Sequence, residues 1–155
     1  TDGRQCNCGK KGCVEQYASA RGIVTNTRIM CNAATDYDQT PFVKEVNRNP
    51  EKISAKMVYD YVKMADPMAI RVHEYVCDCL AQAIGVMLDV LTPDRVVLGG
   101  GVMQAGKIIL DTVSGYVPRY CYPEIWQRCD IVAARLGENA GVMGAATLVF
   151  HELDE

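Results

Sequence analysis

The strongest pattern lies in the middle of the chain. Apolar side chains recur at Ile70, Val72, Tyr75, Val76, Cys79, Leu80, Ala83, Ile84, Met87, Leu88 and Leu91. Steps of three and four residues place them on one broad face of a long helix. Asp66 can cap that helix, Pro67 suits its first position, and Pro93 bars its continuation. Upstream, the stretch from Val14 (VEQYASARGIVTNTRIM) also has helical spacing, with Ser19 as a cap or break between two short helices. Ser54 can cap another helix over residues 55–64. Residues 32–53 are polar and carry Pro41 and Pro50, which predicts a surface excursion with little regular structure.

Beyond residue 94 the period changes. Arg95-Val96-Val97-Leu98 is a short β-branched run stopped by three glycines, and residues 130–134 (DIVAA) form a second. A helix over 105–116 separates them, followed by an aromatic, irregular stretch at 120–128. Residues 136–139 turn the chain into a last helix over 140–151. The order helix, strand, helix, strand, helix predicts an α/β fold with parallel pairing. Two strands are too few for a sheet beneath so many helices, so further strands are expected upstream of Thr1.

Composition narrows the function classes. Hydrophobic residues make up 49% and charged residues 23% of 155, as in ordinary globular domains. A net charge of -3 argues against a broad nucleic-acid surface, and Arg4, Lys10 and Lys11 are too few to track phosphates. No apolar run reaches membrane-spanning length, and no signal pattern opens the chain. Eight cysteines are many for this length. Three crowd into Cys6–Cys13, and Cys77 and Cys79 sit within the long helical pattern. That distribution suits a reducing compartment better than a disulfide scaffold, so a cytoplasmic location is expected.

In CNCGKKGC, Cys6, Cys8 and Cys13 put three thiols within eight residues, and Gly9 and Gly12 allow so short a loop to wrap one ion. The alternative is a run of free thiols. Glu15 follows at the start of a helix. A carboxylate pinned there can accept hydrogen bonds from sugar hydroxyls, or simply complement the helix dipole. VVLGGGVMQAG sets Gly99, Gly100 and Gly101 between a strand and a helix. Such a turn admits close approach of a nucleotide, or only tightens the connection. His73 and His151, the two histidines, read as plain helical residues, His73 on an exposed or partly buried part of its helix.

CNCGKKGCVE resembles the CxCGxxGCxE signature of the ROK family of repressors and sugar kinases. LGGG and LGENAGVMGAA resemble two later motifs of that family, in the same order. The resemblance implies the C-terminal lobe portion of an actin-like, ribonuclease-H-like ATPase fold, helix-rich, with a zinc loop at 3–13 and the whole of 1–155 in one domain. It implies structural zinc on Cys6, Cys8 and Cys13, with a histidine from an upstream stretch as fourth ligand. It also implies a sugar contact by Glu15 and nucleotide along Gly99–Gly101. The implied activity is transfer of a phosphoryl group from ATP-Mg to a hexose, glucokinase-like, with a homodimer as the family-like assembly. The family's aspartate base and first phosphate loop lie upstream, so this chain alone is expected to be inactive. The alternative within the family is a sugar-sensing repressor, which alone would bring in nucleic acid. In LGENAGVMGAA, Gly141, Gly144, Ala145 and Ala146 are expected to pack a helix close to the sheet, with any nucleotide contact by 137–139 secondary.

Overall fold

The computed structural model describes residues 2–136 and 140–153. A cysteine-bearing loop leads into α1 (Glu15–Ala18) and α2 (Ala20–Asn32). The backbone of Ser19 is extended, and its hydroxyl accepts from Gly22 N at 3.1 Å, so Ser19 breaks α1 from α2 and caps the latter. Then come α3 (Pro41–Arg48), α4 (Ala55–Lys63) and α5 (Pro67–Leu91). The remaining elements are β1 (Arg95–Leu98), α6 (Lys107–Tyr116), α7 (Pro123–Trp126), β2 (Asp130–Ala133) and α8 (Ala140–Leu153).

The long helix starts and stops as its ends dictate. Asp66 Oδ1 accepts from Met68 N and Ala69 N, while its Oδ2 accepts from Phe42 N at 3.0 Å. One carboxylate thus caps α5 and ties α3 to it, where a cap alone is worth about 1 kcal/mol. At the other end Thr92 turns left-handed (φ 44°), and Pro93 follows. The buried face of α5 runs through Val72, Val76, Cys77, Ala81, Ile84 and Leu88 against α2, α4 and α6.

Several expectations need correction. Residues 32–53 are not irregular: Thr40 caps α3, Pro41 takes its first turn, and Phe42, Val43 and Val46 enter the core. Pro41 here starts a helix, a role its neighbours Thr40 and Phe42 announce. Likewise 120–128 contains the short α7, and α6 begins at Lys107 after a 3-10 turn over Gly101–Ala105. The second strand stops at Ala133. His73 is buried at 4% exposure, while Tyr75, Met87 and Leu91 on the predicted apolar face are exposed. The burial stripe is rotated from the apolar stripe, because α5 carries apolar residues on more faces than its neighbours cover.

Among the described residues two strands pair, parallel and in register from Arg95 with Asp130 to Leu98 with Ala133. Val96, Leu98 and Ile131 lean on the core, whereas Val97 faces outward and is 58% exposed. The expected small-residue packing of α8 is absent: residues 141–148 are exposed, and a Cβ added at Gly141 or Gly144 would meet nothing. Residues 137–139 lie outside the described residues, as does the side chain of His151. No described helix is long and apolar enough to cross a membrane.

Candidate functional site

The cysteine loop closes on itself before any metal is considered. Gln5 and Lys11 form an antiparallel bridge, Cys6 N donates to Lys10 O at 2.8 Å, and Gly9 N donates to Cys6 O at 3.0 Å. Gly9 (φ +84°) and Gly12 (φ +78°) hold left-handed positions that a Cβ would strain, so the expected backbone role of both is met. The result gathers Cys6, Cys8 and Cys13, whose sulfurs all lie within 4.8 Å of one another. That spacing and donor set fit three corners of a tetrahedral thiolate site.

The thiols differ in surroundings. Cys6 is buried at 5% exposure, Cys8 is exposed and Cys13 is half-buried. A hydrogen bond from the Cys8 backbone, helped by the Cys8 thiol, lowers the Cys6 thiol below its ordinary range. Hydrogen bonding to Cys8 and then Cys6 pushes Cys13 up to about 11. Three neighbouring thiols cannot all ionise without a cation to hold them.

Glu15 opens α1 directly beside this cluster, exposed, with Oε2 3.8 Å from Cys6 Sγ. The loop is fastened to the helices by Arg4. Its backbone N donates to Tyr17 Oη at 2.8 Å, and its Nη1 donates to Gln16 O at 2.8 Å and to Asn26 Oδ1 at 2.6 Å. The guanidinium stacks 4.6 Å from the Tyr17 ring centroid. Asn26, buried, donates in turn to Tyr17 O at 2.9 Å. Sequence reading missed this brace, since nothing local in the chain links Arg4 to a residue 22 positions away.

The glycine turn is the second component. Gly100 is at φ +93°, which lets β1 end abruptly and the 3-10 turn begin at Gly101. Gly99 and Gly100 line a cleft of about 290 Å³ together with Ala18, Ser19 and Ala20. The helix that starts at Glu15 therefore ends against the glycine turn. On the far side of the 3-10 turn, Val102 and Ala105 face Lys56, Tyr59, Asp60 and Lys63 of α4 across a cavity of about 190 Å³. Lys56 Nζ is 2.6 Å from Asp60 Oδ2, and this holds the Asp60 carboxyl below the usual range. A cavity of about 650 Å³ is an apolar groove between Val14, Tyr17 and α5, and its lining includes no residue of the glycine turn.

Cys6, Cys8, Cys13 and Glu15 thus form one group and the turn at Gly99 and Gly100 a second, joined by one short helix. The family model described as "ROK family" matches residues 1–152. The glucokinase of Thermotoga maritima is 32% identical over 148 residues, which is 96% of this chain and 45% of that protein. The xylose repressor of Bacillus spizizenii is 21% identical over 154 residues, covering 99% of this chain and 35% of the repressor. Among solved structures, a ROK family glucokinase from Streptomyces griseus in complex with glucose and AMPPNP superposes with a TM-score of 0.81. It is 29% identical, with 95% of this chain and 47% of that one covered. The chain spans about half the length or less of the curated relatives it matches.

Proposed function

This chain belongs to the ROK family, and from that premise we propose that the full-length protein carrying it phosphorylates a hexose with ATP, as a cytoplasmic, glucokinase-like enzyme. The observation that carries the reading is the placement of α1, with Glu15 at one end beside the cysteine loop and the glycine turn at the other. Phosphoryl transfer needs a sugar hydroxyl and a nucleotide phosphate side by side, and positioning accounts for most of its catalysis. Glu15 is exposed and held by a braced loop, so its carboxylate can accept from sugar hydroxyls. The turn over Gly99–Gly101 takes the nucleotide, since backbone without side chains lets phosphate and ribose approach closely. The similarity to a kinase whose structure holds glucose and AMPPNP supports both substrates.

The three sulfurs suit zinc, which would make the loop rigid and leave one corner for a ligand from elsewhere in the protein. Cys6, Cys8 and Cys13 would hold the ion, and its contribution is structural. The catalytic base and the remaining phosphate contacts are assigned to the other half of the protein, so the 155-residue chain alone turns over no sugar. A second reading, a sugar-sensing repressor, is favoured by one observation, the match of 99% of the chain to a xylose repressor. It would keep the Glu15 contact and dispense with the nucleotide.

The test is kinetic. In the full-length protein, Glu15→Gln should raise the sugar KM roughly 10- to 100-fold, the value of a hydrogen bond to a charged group, and leave the ATP KM unchanged. An unchanged sugar KM removes Glu15 from the site. Sugar binding without any ATP turnover in the wild-type protein moves the reading to the repressor.

A further inference from the structure

The three thiols of the loop are not equivalent. Cys6 is buried against Glu15, while Cys8 is exposed and Cys13 half-buried, with their Sγ atoms 3.5 Å apart. We propose that Cys8 and Cys13 form a peroxide-sensitive pair whose disulfide removes two of the three sulfur donors and so blocks metal uptake. The disulfide needs only the two thiols, whereas its effect on metal rests on the zinc reading above.

A disulfide requires the sulfurs to close to about 2.05 Å. The loop between them has the freedom for this: Gly9 and Gly12 have positive φ, and a Cβ at Gly9 would meet nothing within 4 Å. Hydroperoxide is the oxidant. The Cys8 sulfur attacks one peroxide oxygen, the O–O bond breaks, and a sulfenic acid forms while the departing hydroxide takes up the proton given up by the thiol and leaves as water. The Cys13 sulfur then attacks the sulfenic sulfur, the S–O bond breaks, and a second water leaves with the S–S bond made. Two electrons pass from the two sulfurs to one peroxide, and two thiols plus peroxide give disulfide plus two waters. Cys6 is buried at 5% exposure, which keeps peroxide from its sulfur, so accessibility selects Cys8. Elsewhere, burial pushes Cys31 up to about 11 and Cys77 up to about 12, which keeps both as unreactive thiols.

Metal acts as the guard in this scheme. While an ion binds both sulfurs their lone pairs are engaged, so oxidation follows metal loss. The oxidised loop then rejects the ion until a dithiol reduces it.

The experiment takes the full-length protein, strips it with a chelator, treats it with hydrogen peroxide and digests it with trypsin. Cleavage after Lys10 and Lys11 separates Cys6 and Cys8 from Cys13. The expected product is QCNCGK joined to GCVEQYASAR, two hydrogens lighter than the reduced pair. It should form in wild type, form with QSNCGK in place of QCNCGK in Cys6→Ser, and vanish in Cys8→Ser. The oxidised protein should lose zinc binding and regain it on dithiol treatment, and zinc-loaded protein should resist the cross-link. A cross-link through Cys6, or sulfinic acid with no cross-link, overturns the pairing. If the reduced protein binds no zinc, the zinc reading fails by itself, and the peptide map still decides the disulfide.

Discussion

The two halves of the molecule solve the packing problem differently. Up to Leu91, helices close on one another: Ile23, Phe42, Val43, Val58, Val72 and Ile84 are all essentially buried. After it, the buried apolar residues among those described are Ile109, Val113, Val117 and Cys129, and α6 and the turn carrying Val117 lean back on α5. The sheet covers only one of its faces, leaving Val97 open, and α8 shows Val142, Met143 and Leu148 to solvent. Parallel strands ordinarily have both faces covered. The helical half therefore has a core of its own, while the half carrying the glycine turn borrows one. The glycine turn rests on the less complete half, so its stiffness depends on the seam with α5.

The sharpest way to break this contrast is Phe42→Ala. Phe42 is fully buried, its ring 5.1 Å from that of Tyr61, and its backbone N–H is held by the carboxylate that caps α5. Truncation should cost about 3–5 kcal/mol, and chemical denaturation would measure it. A loss under about 1 kcal/mol would mean that the helical half is not the stability core.

That residue also marks where sequence reading fell short. The caps of α2, α4 and α5 were legible because Ser19, Ser54 and Asp66-Pro67 act locally, and each does so here. The two strands were legible as β-branched runs bounded by glycine or turns. Helix α3 is not, because its apolar residues are few, and the two prolines near it read as breakers in the sequence while both sit in first turns. The cysteine cluster and the glycine turn were visible as motifs. Their junction through Ala18–Ala20 was not, since only the fold brings residue 19 beside residue 99. The burial of His73 is not legible in sequence, because helical spacing cannot tell which polar residue finds partners on a neighbouring helix.

His73 stands on the seam between the halves and sharpens the comparison through pH. Its Nε2 is 2.9 Å from Thr112 Oγ1 on α6. Thr112 Oγ1 already donates to Ile108 O, so it accepts from Nε2–H, and Nδ1 is left to accept from Tyr59 Oη and Cys77 Sγ at 3.5 Å. The neutral ring fits this arrangement. Burial lowers its pKa below the ordinary 6.5, opposed by the nearby Glu74 carboxylate. Asp111 and Tyr116 on α6 and Glu74 on α5 line the same opening. Unfolded chain thus takes up this proton at higher pH than folded chain. The stabilisation is complete above the unfolded value and lost as pH falls through the folded one. Denaturation midpoints measured between pH 7 and 5 should fall, and His73→Gln should flatten that slope. Equal slopes in the two proteins would remove the seam from the comparison.

The smallest expected effect tests the other side of the contrast. Val142 on α8 is 73% exposed, so replacing it removes almost no burial. Serine has a helix propensity close to that of valine, so the backbone term nearly cancels as well. Val142→Ser in this chain should leave the unfolding free energy within about 0.5 kcal/mol of wild type, the range of an exposed surface change. In the full-length protein, a helix that covers the second face of a completed sheet would feel the same substitution as the loss of a buried valine, and the midpoint would drop. The difference between the two measurements, not either alone, reports how much of the cover over β1 and β2 comes from outside this chain. A loss above about 1 kcal/mol in the chain itself would mean that α8 is already packed and that the two halves are equally complete.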